Sequence, residues 1–405
     1  MRILHHDYGG YPYPADLSRA LAARGHEVTH AWCASLVTTP GGVFEKHPDD
    51  PDGLQFAPLE LSEALAKYSF VKRRRQEREF GALATELTAQ VQPDVVISTN
   101  MPLDAQAMLQ AACRRNGTAF VFWLQDVLGI AAHRVLRRKL PLVGELIGRY
   151  YINLEAKLLR RSDRVAPITD DFKPLLRDWG VADERIVTVE NWAPLSELPL
   201  QAKVNPFARE ADLADKFVFL YAGSMGMKHN PELVARLAEA TLDRPDVRIV
   251  VLSQGVGTDY LRQQREQRGL HTLVLRGFEP FSRMHEVMGA ADVLTAVLEP
   301  DAGVFSVPSK VLAYLCGGRA LLTAMPLENL ASRIVDREGA GIVVAPDDID
   351  GFVAGALRLL DDAETRTAMG AAARGYAERT FEIGAIADRF EGILHDAIAT
   401  RQAGG

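Results

Sequence analysis

A chain of 405 residues is long enough for two domains at roughly 100–200 residues each. Its apolar share of 47% and charged share of 24% are those of an ordinary globular protein and exclude disorder, collagen and low-complexity arrays as descriptions of the whole. With 46 Lys and Arg against 53 Asp and Glu, the net charge is −7, and so acidic a chain has no overall electrostatic reason to coat nucleic acid. Cys33, Cys113 and Cys316 stand far apart and cannot pair off completely. No disulfide framework or zinc-type spacing follows, so the chain reads as one of a reducing cytoplasm. The opening MRILHHDYGGYPYP lacks the apolar core of a signal peptide. No run reaches about 18 uninterrupted apolar residues, so no spanning helix is expected.

In chain order, apolar and β-branched runs at Arg2–His5, Glu27–Trp32, Asp94–Thr99, Ala119–Leu124, Arg164–Thr169 and Ile186–Asn191 predict strands. Helical patterns such as Leu17, Ala20 and Leu21 lie between them, spaced for one buried face. Trp192–Asp212 carries Pro194, Pro199 and Pro206 without a clear period and reads as a linker. A second series of strands is predicted at Phe217–Gly223, Val247–Gln254, Leu273–Phe278, Val293–Leu298, Ala320–Ala324 and Gly341–Ala345. The helical spacing of Leu233, Leu237 and Ala240 falls within this series, and Glu364–Thr400 predicts two helices broken near Thr380–Gly384. Strand and helix alternating in this way build parallel sheets wound by right-handed crossovers. The fold class is therefore α/β, with two Rossmann-like doubly wound domains, residues 1–195 and 212–380, facing across a cleft. Ligands of open α/β sheets bind outside the carboxyl ends of the strands, so a site is expected there.

Four loops fall at such ends. Asp7-Tyr8-Gly9-Gly10-Tyr11-Pro12-Tyr13-Pro14 follows the first strand. Its adjacent glycines let a backbone approach a ligand closely, and the helix after them offers N–H groups to an anion. The same residues would equally make a plain strand-to-helix turn with prolines at the helix start. The loop is not a GxGxxG, so dinucleotide binding has little behind it. Tyr221-Ala222-Gly223-Ser224-Met225-Gly226-Met227-Lys228-His229-Asn230-Pro231 repeats the device in the second series. Backbone N–H groups and the Lys228 ammonium suit a phosphate or diphosphate there, against the alternative of a solvated lysine on a turn. In Val307-Pro308-Ser309-Lys310, running on to Gly317-Gly318, Pro308 reads as an early helix position and the two glycines as its end. Ser309 and Lys310 then sit in a first turn, where the helix dipole favours an anion by about 0.3–1 kcal/mol; an ordinary capped helix would look the same. Gln125-Asp126 follows the apolar strand Ala119–Leu124. Its carboxylate would orient or deprotonate a hydroxyl nucleophile, or simply cap the next helix.

The stretch 131–164 holds nine Lys and Arg against Glu145, Glu155 and Asp163, interleaved with Leu136, Leu140, Leu142, Val143 and Leu146. A second basic knot, Lys72-Arg73-Arg74-Arg75, follows Phe70-Val71. Basic and apolar residues together suit the face of an anionic bilayer, though a core helix with a solvated basic rim gives the same pattern. The ten histidines show no HExxH or other ligand spacing, and GxSxG is absent, so neither a metal nor a serine nucleophile is expected.

Together these residues resemble glycosyltransferase family 4, retaining enzymes of the GT-B fold. The likeness runs to bacterial exopolysaccharide and O-antigen enzymes of the colanic-acid and N-acetylfucosamine transferase kind. It is carried by Gly9-Gly10, Gln125-Asp126, Glu190-Asn191-Trp192, Tyr221–Lys228, Arg276-Gly277-Phe278 and Val307-Pro308-Ser309-Lys310, in the expected order over nearly the whole chain. The resemblance implies a nucleotide-diphosphate-sugar donor on the C-terminal domain, its base near Phe278. Gly223, Gly226, Lys228, Ser309 and Lys310 would surround the diphosphate, with Gly9 and Gly10 closing on it. It further implies a sugar or lipid-linked saccharide acceptor near Tyr11, Tyr13, Gln125 and Asp126, with Asp126 and Lys228 as the catalytic pair. No metal or other cofactor is implied, because backbone N–H groups and lysine stabilise the departing diphosphate. A terminal helix, 381–400, would join the N-terminal domain. Phe305 and Ala313 stand where much of the family has two glutamates eight residues apart, the second of which holds the ribose. Ser224 and Met225 stand where an arginine commonly follows the loop glycine.

The reading that follows is retaining sugar transfer in surface polysaccharide biosynthesis (exopolysaccharide, O-antigen or capsule), in the cytoplasm or peripherally on the inner face of the cell membrane. Three others stay open. A transferase of specialised metabolism would carry the same motifs. A nucleotide-sugar 2-epimerase needs paired carboxylates or a histidine, where only Asp126 is clearly placed. A non-catalytic partner subunit is favoured by the missing glutamates and arginine, and opposed by the glycine loops and lysines.

Overall fold

The computed structural model describes residues 1–36, 44–65, 69–99, 101–226, 229–298, 300 and 307–404. The chain divides into two units, Met1–Glu190 with Ile383–Gly405, and Asn191–Glu382. The first unit runs β1 (Arg2–Asp7), α1 (Pro12–Ala23), β2 (Glu27–Cys33), β3 (Leu54–Leu59), α2 (Phe70–Val91), β4 (Val95–Thr99), α3 (Leu103–Asn116), β5 (Ala119–Leu124), α4 (Leu128–Lys139), α5 (Pro141–Arg161), β6 (Arg164–Pro167) and α6 (Lys173–Asp178). Its six strands pair in parallel in the order β3-β2-β1-β4-β5-β6. Strands covered on both faces read as unbroken apolar runs. Accordingly β5, Ala-Phe-Val-Phe-Trp-Leu, is buried at every position.

The second unit runs α7 (Pro206–Glu210), β7 (Phe217–Ala222), α8 (Pro231–Ala240), β8 (Val247–Leu252), α9 (Val256–Arg268), β9 (Leu273–Arg276), α10 (Met284–Gly289), β10 (Val293–Val297), α11 (Ser309–Cys316), β11 (Ala320–Ala324), α12 (Leu330–Arg337), β12 (Gly341–Val344), α13 (Ile349–Asp361) and α14 (Ala363–Thr380). Its strands are also parallel, in the order β12-β11-β10-β7-β8-β9. The final helix, α15 (Ile383–Ala403), returns to the first unit. Phe390 stands edge-on to Trp123 with centroids 4.8 Å apart, and Arg401 donates to Asp163 at 2.7 Å. Both units are thus doubly wound, as the alternating pattern predicts. Strand order reverses between β1 and β4 and again between β7 and β10, the switch points where such sheets take ligands.

Three expectations change. Ile186–Asn191 is not a strand: it meets β6 through one bridge, Val165 to Ile186, and donates N–H bonds from Val187 and Val189 without a full ladder. A strand that the pattern misses, β3, lies at the sheet edge and contains Pro58, where a residue without an N–H costs nothing. The stretch expected as linker is packed into the second unit, with Trp192, Leu198 and Phe207 buried. Asn205 caps α7 by accepting from Ala208 N.

The core of the first unit holds a polar chain. Ser18 Oγ lies 2.8 Å from Nδ1 of both His5 and His30, so its one proton goes to one ring while the other ring donates back. Burial, with like charge nearby, pushes His5 down to about 3, and burial lowers His6 as far. Burial likewise holds His30 well below the usual range. All three rings are neutral in the folded state. Among the described residues no helix is long and apolar enough to cross a membrane.

Candidate functional site

In the second unit the site is built at the β7–β10 switch point. The chain leaves β7 through Gly223, whose φ of +133° is open to glycine alone. A Cβ there would stand 3.3 Å from both Cε and Nζ of Lys310. Lys310, in the first turn of α11, lies 3.9 Å over the Tyr221 ring and donates to its hydroxyl. That hydroxyl in turn donates to Ser224 O at 2.8 Å. Burial, with Tyr314 nearby, raises the Tyr221 pKa well above its usual value, so the group stays a neutral relay. One turn on, Tyr314 accepts from Ala222 N at 2.7 Å and donates to Ala222 O at 3.1 Å. Helix α11 is thereby fastened to the end of β7 by two tyrosines.

Around this point stand two further helix starts. Gly226 N donates to His229 Nδ1 at 2.9 Å, and Asn230 caps α8 by accepting from Glu232 N. Gly257, at the start of α9, donates to Met225 O at 3.0 Å. A Cβ at Gly257 would collide with the Met225 side chain at 2.4 Å. The Gly255–Gly257 turn is not among the loops expected from the sequence; its signal is a pair of glycines at the end of an apolar strand. Ser309 is exposed at the head of α11, and Phe278 presents a ring 37% exposed in the loop after β9. The structure therefore brings Gly223, Gly226, Ser309 and Lys310 to one end of one sheet, with Phe278 in a neighbouring loop of that end. Lys228 and Phe305 lie outside the described residues; Ala313 is on α11.

In the first unit, Asp7 at the end of β1 holds the glycine loop by accepting from Gly9 N at 3.1 Å and Tyr11 N at 2.7 Å. Gly10 turns at φ +64°, and a Cβ on Gly9 would meet the Tyr11 ring at 2.3 Å. Tyr11 stacks on Tyr13 at 6.0 Å, and Tyr13 stands edge-on to Trp123 at 5.6 Å. Burial first, then the Asp7 and Asp126 carboxylates, pushes the Tyr11 hydroxyl up to about 12. Gln125 is buried and Asp126 partly so at the end of β5. Glu155 of α5, counted in the sequence only as one charge of the 131–164 stretch, accepts from Leu128 N at 3.0 Å and Gly129 N at 2.8 Å through its carboxylate. Burial outweighs these two amides and, with the Asp126 charge adding, lifts Glu155 to about 8. Helix periodicity alone gives a charge on an amphipathic face, so nothing in the sequence separates Glu155 from its neighbours.

Comparison with known proteins accounts for both halves. Residues 9–192 match the glycosyl transferase 4-like domain, and residues 216–362 match the glycosyl transferases group 1 domain. The chain is 26% identical over 301 residues to a candidate colanic acid biosynthesis glycosyl transferase of Escherichia coli, WcaI, covering 72% of this chain and 71% of that one. In fold it is similar to Anabaena HepE in complex with UDP and glucose, with a TM-score of 0.72 at 15% identity over 98% of this chain and 99% of HepE. Sucrose-phosphate synthase from Thermosynechococcus elongatus gives 0.72 at 15% identity, covering 98% and 99% of the two chains. WaaG, a glycosyltransferase involved in lipopolysaccharide biosynthesis, gives 0.69 at 14% identity, covering 97% and 99%. The two doubly wound units are those of the GT-B class.

Proposed function

The chain belongs to the glycosyltransferases that join a glycosyl transferase 4-like domain to a group 1 domain, and we propose that it moves a sugar from a nucleotide-diphosphate-sugar to a hydroxyl acceptor with retention, in the assembly of a surface polysaccharide. The observation that carries this reading is the seating of Lys310 on Tyr221 beside Gly223 at the switch point of the second sheet. An ammonium held there by a neutral hydroxyl, beside a backbone without Cβ, suits a diphosphate. Names of relatives point the same way: UDP in HepE supports a nucleotide donor, and colanic acid and lipopolysaccharide support a polysaccharide product.

In this reading Lys310, Lys228 and Ser309 meet the diphosphate with the backbone at Gly223 and Gly226, and Phe278 lies against the base. Lysine and N–H donors stabilise the charge that develops on the leaving group without a metal ion. The anomeric C–O bond to the diphosphate breaks as the acceptor oxygen bonds the same face, and the acceptor proton passes to a departing phosphate oxygen. Asp126 orients the acceptor, a sugar or lipid-linked saccharide, near Tyr11, Tyr13 and Gln125. The stretch 131–164 is its contact with an anionic membrane.

The test is incubation with UDP-, GDP-, dTDP- and ADP-sugars, following nucleoside diphosphate release and the anomeric configuration of the product by NMR, with and without EDTA. One sugar nucleotide should be consumed, with configuration kept and EDTA without effect. An inverted product would contradict retention, and no turnover of any donor would leave the non-catalytic subunit in its place.

A further inference from the structure

We propose that α4, α5 and the start of α2 form one membrane-docking surface that seats the first unit on an anionic bilayer. This deepens the reading of a lipid-linked acceptor and rests on it for its purpose, though binding itself is testable without transfer.

Along α5, Leu142, Leu146 and Tyr150 recur at intervals of four, which places them on one face. They are 86%, 71% and 47% exposed. The opposite face packs α5 on α4 at close range. A Cβ on Gly144 would stand 2.1 Å from Leu136 O, and one on Gly148 2.3 Å from the His133 ring. Leu140, at the turn between the helices, and Val143 are also more than half exposed. Side chains this bare stand proud of the surface, a knuckle rather than a groove.

The start of α2 adjoins this ridge. Arg74 Nε donates to Asp104 at 2.8 Å, Tyr151 donates to the same carboxylate at 3.0 Å, and the Arg74 guanidinium lies 6.0 Å from the Tyr150 ring centre. Phe70, one turn before Arg74, and Val71, 79% exposed, therefore add bare apolar side chains within about a helical turn of that contact. Cations ring these side chains. Arg134, Arg137, Arg138 and Lys139 precede the turn, and Arg149 flanks the ridge, against Glu145, which His133, Arg137 and Arg149 engage. Residues 131–164 carry six net positive charges in a chain of net −7. Apolar side chains that insert, surrounded by lysine and arginine that remain at the headgroups, match an anionic bilayer.

The placement also fits an acceptor. Helix α4 begins two residues after Asp126, with Glu155 fastening its first turn. Its twelve residues span about 18 Å at about 1.5 Å each, so the Gln125–Asp126 loop lies within about that distance of the docked turn, within reach of a saccharide on a lipid.

The experiment is sedimentation of the full chain with vesicles of equal parts phosphatidylcholine and phosphatidylglycerol, and with phosphatidylcholine alone. Binding should require the anionic lipid and weaken with salt. Leu142→Glu with Leu146→Glu should weaken it by more than about tenfold. Arg137→Gln, Arg138→Gln and Lys139→Gln should each cost about fivefold, at about 1 kcal/mol per cation. Far-UV circular dichroism and stabilisation by nucleotide should be unchanged in all of these variants. Equal binding by the leucine variant, or a dimer in solution that Leu142→Glu makes monomeric, would overturn the proposal. Vesicle binding in a protein that no nucleotide stabilises would leave the docking surface standing and remove the transferase reading instead.

Discussion

Lys310 is the residue on which the proposed donor site turns, and its position is set by Tyr221, 89 residues earlier in the chain. Removing the ammonium in Lys310→Ala should weaken nucleoside diphosphate binding about 10- to 150-fold, the worth of a charge-assisted hydrogen bond. Tyr221→Phe keeps the ring under the lysine and removes only the hydroxyl that positions it, so a smaller loss of about fivefold is expected. Isothermal titration of both variants checks the ratio; equal losses would show that the tyrosine does more than hold the lysine. Gly223→Ala would place a methyl 3.3 Å from Lys310 at a φ of +133°. It should therefore lower affinity as well as stability, the latter by about 1–3 kcal/mol. Titration and a melt of the same variant separate the two effects.

At the scale of elements, the strands were readable because both faces of a parallel sheet are covered, which leaves apolar runs that need no partner to be recognised. β3 escaped notice because an edge strand tolerates Pro58. Ile186–Asn191 looked like a strand because the pattern of its side chains says nothing about whether β6 offers it a full ladder. The glycine loops were legible for a local reason, since Gly10 and Gly223 both turn at positive φ. Glu155 and the Tyr221–Lys310 contact were not, because each joins residues far apart in sequence. Glu155 also ties the α4–α5 pair to the Gln125–Gly129 loop, which gives that pair a titration of its own. Its folded value of about 8 exceeds the ordinary 4.5. The folded state therefore keeps its proton longer, and the stability it contributes is whole below about 4.5 and lost as pH rises through 8. Glu155→Gln should flatten this alkaline decline in melting temperature, while a parallel decline in wild type and variant would remove Glu155 as its cause.

Over the whole molecule the first unit is squeezed from the acid side as well. His5 and His6, held near 3 against an ordinary 6.5, bind protons more readily in the unfolded chain. Their stability is present above about 6.5 and is lost as pH falls toward 3. Three buried imidazoles outweigh one carboxyl between 4.5 and 6.5, so the melting temperature should be highest near neutrality and fall more steeply on the acid side. A melting temperature that climbs as pH drops from 6.5 to 5 would contradict the neutral core. The second unit carries the proposed donor site, and its stabilisation by ligand reads that site without knowledge of sugar or acceptor. The measurement that tests it most directly is thermal unfolding of wild type and Lys310→Ala with UDP, GDP, dTDP and ADP. At about 100 times its dissociation constant a nucleotide adds about 2.7 kcal/mol, or about 5–10 °C for a domain of this size. One nucleotide should raise the wild-type transition by that amount and Lys310→Ala by no more than about half of it, because a site 10- to 150-fold weaker gains only about 0.3–1.4 kcal/mol at the same concentration. A folded wild type that none of the four stabilises, or a Lys310→Ala that responds equally, would contradict a diphosphate site at the β7–β10 switch point.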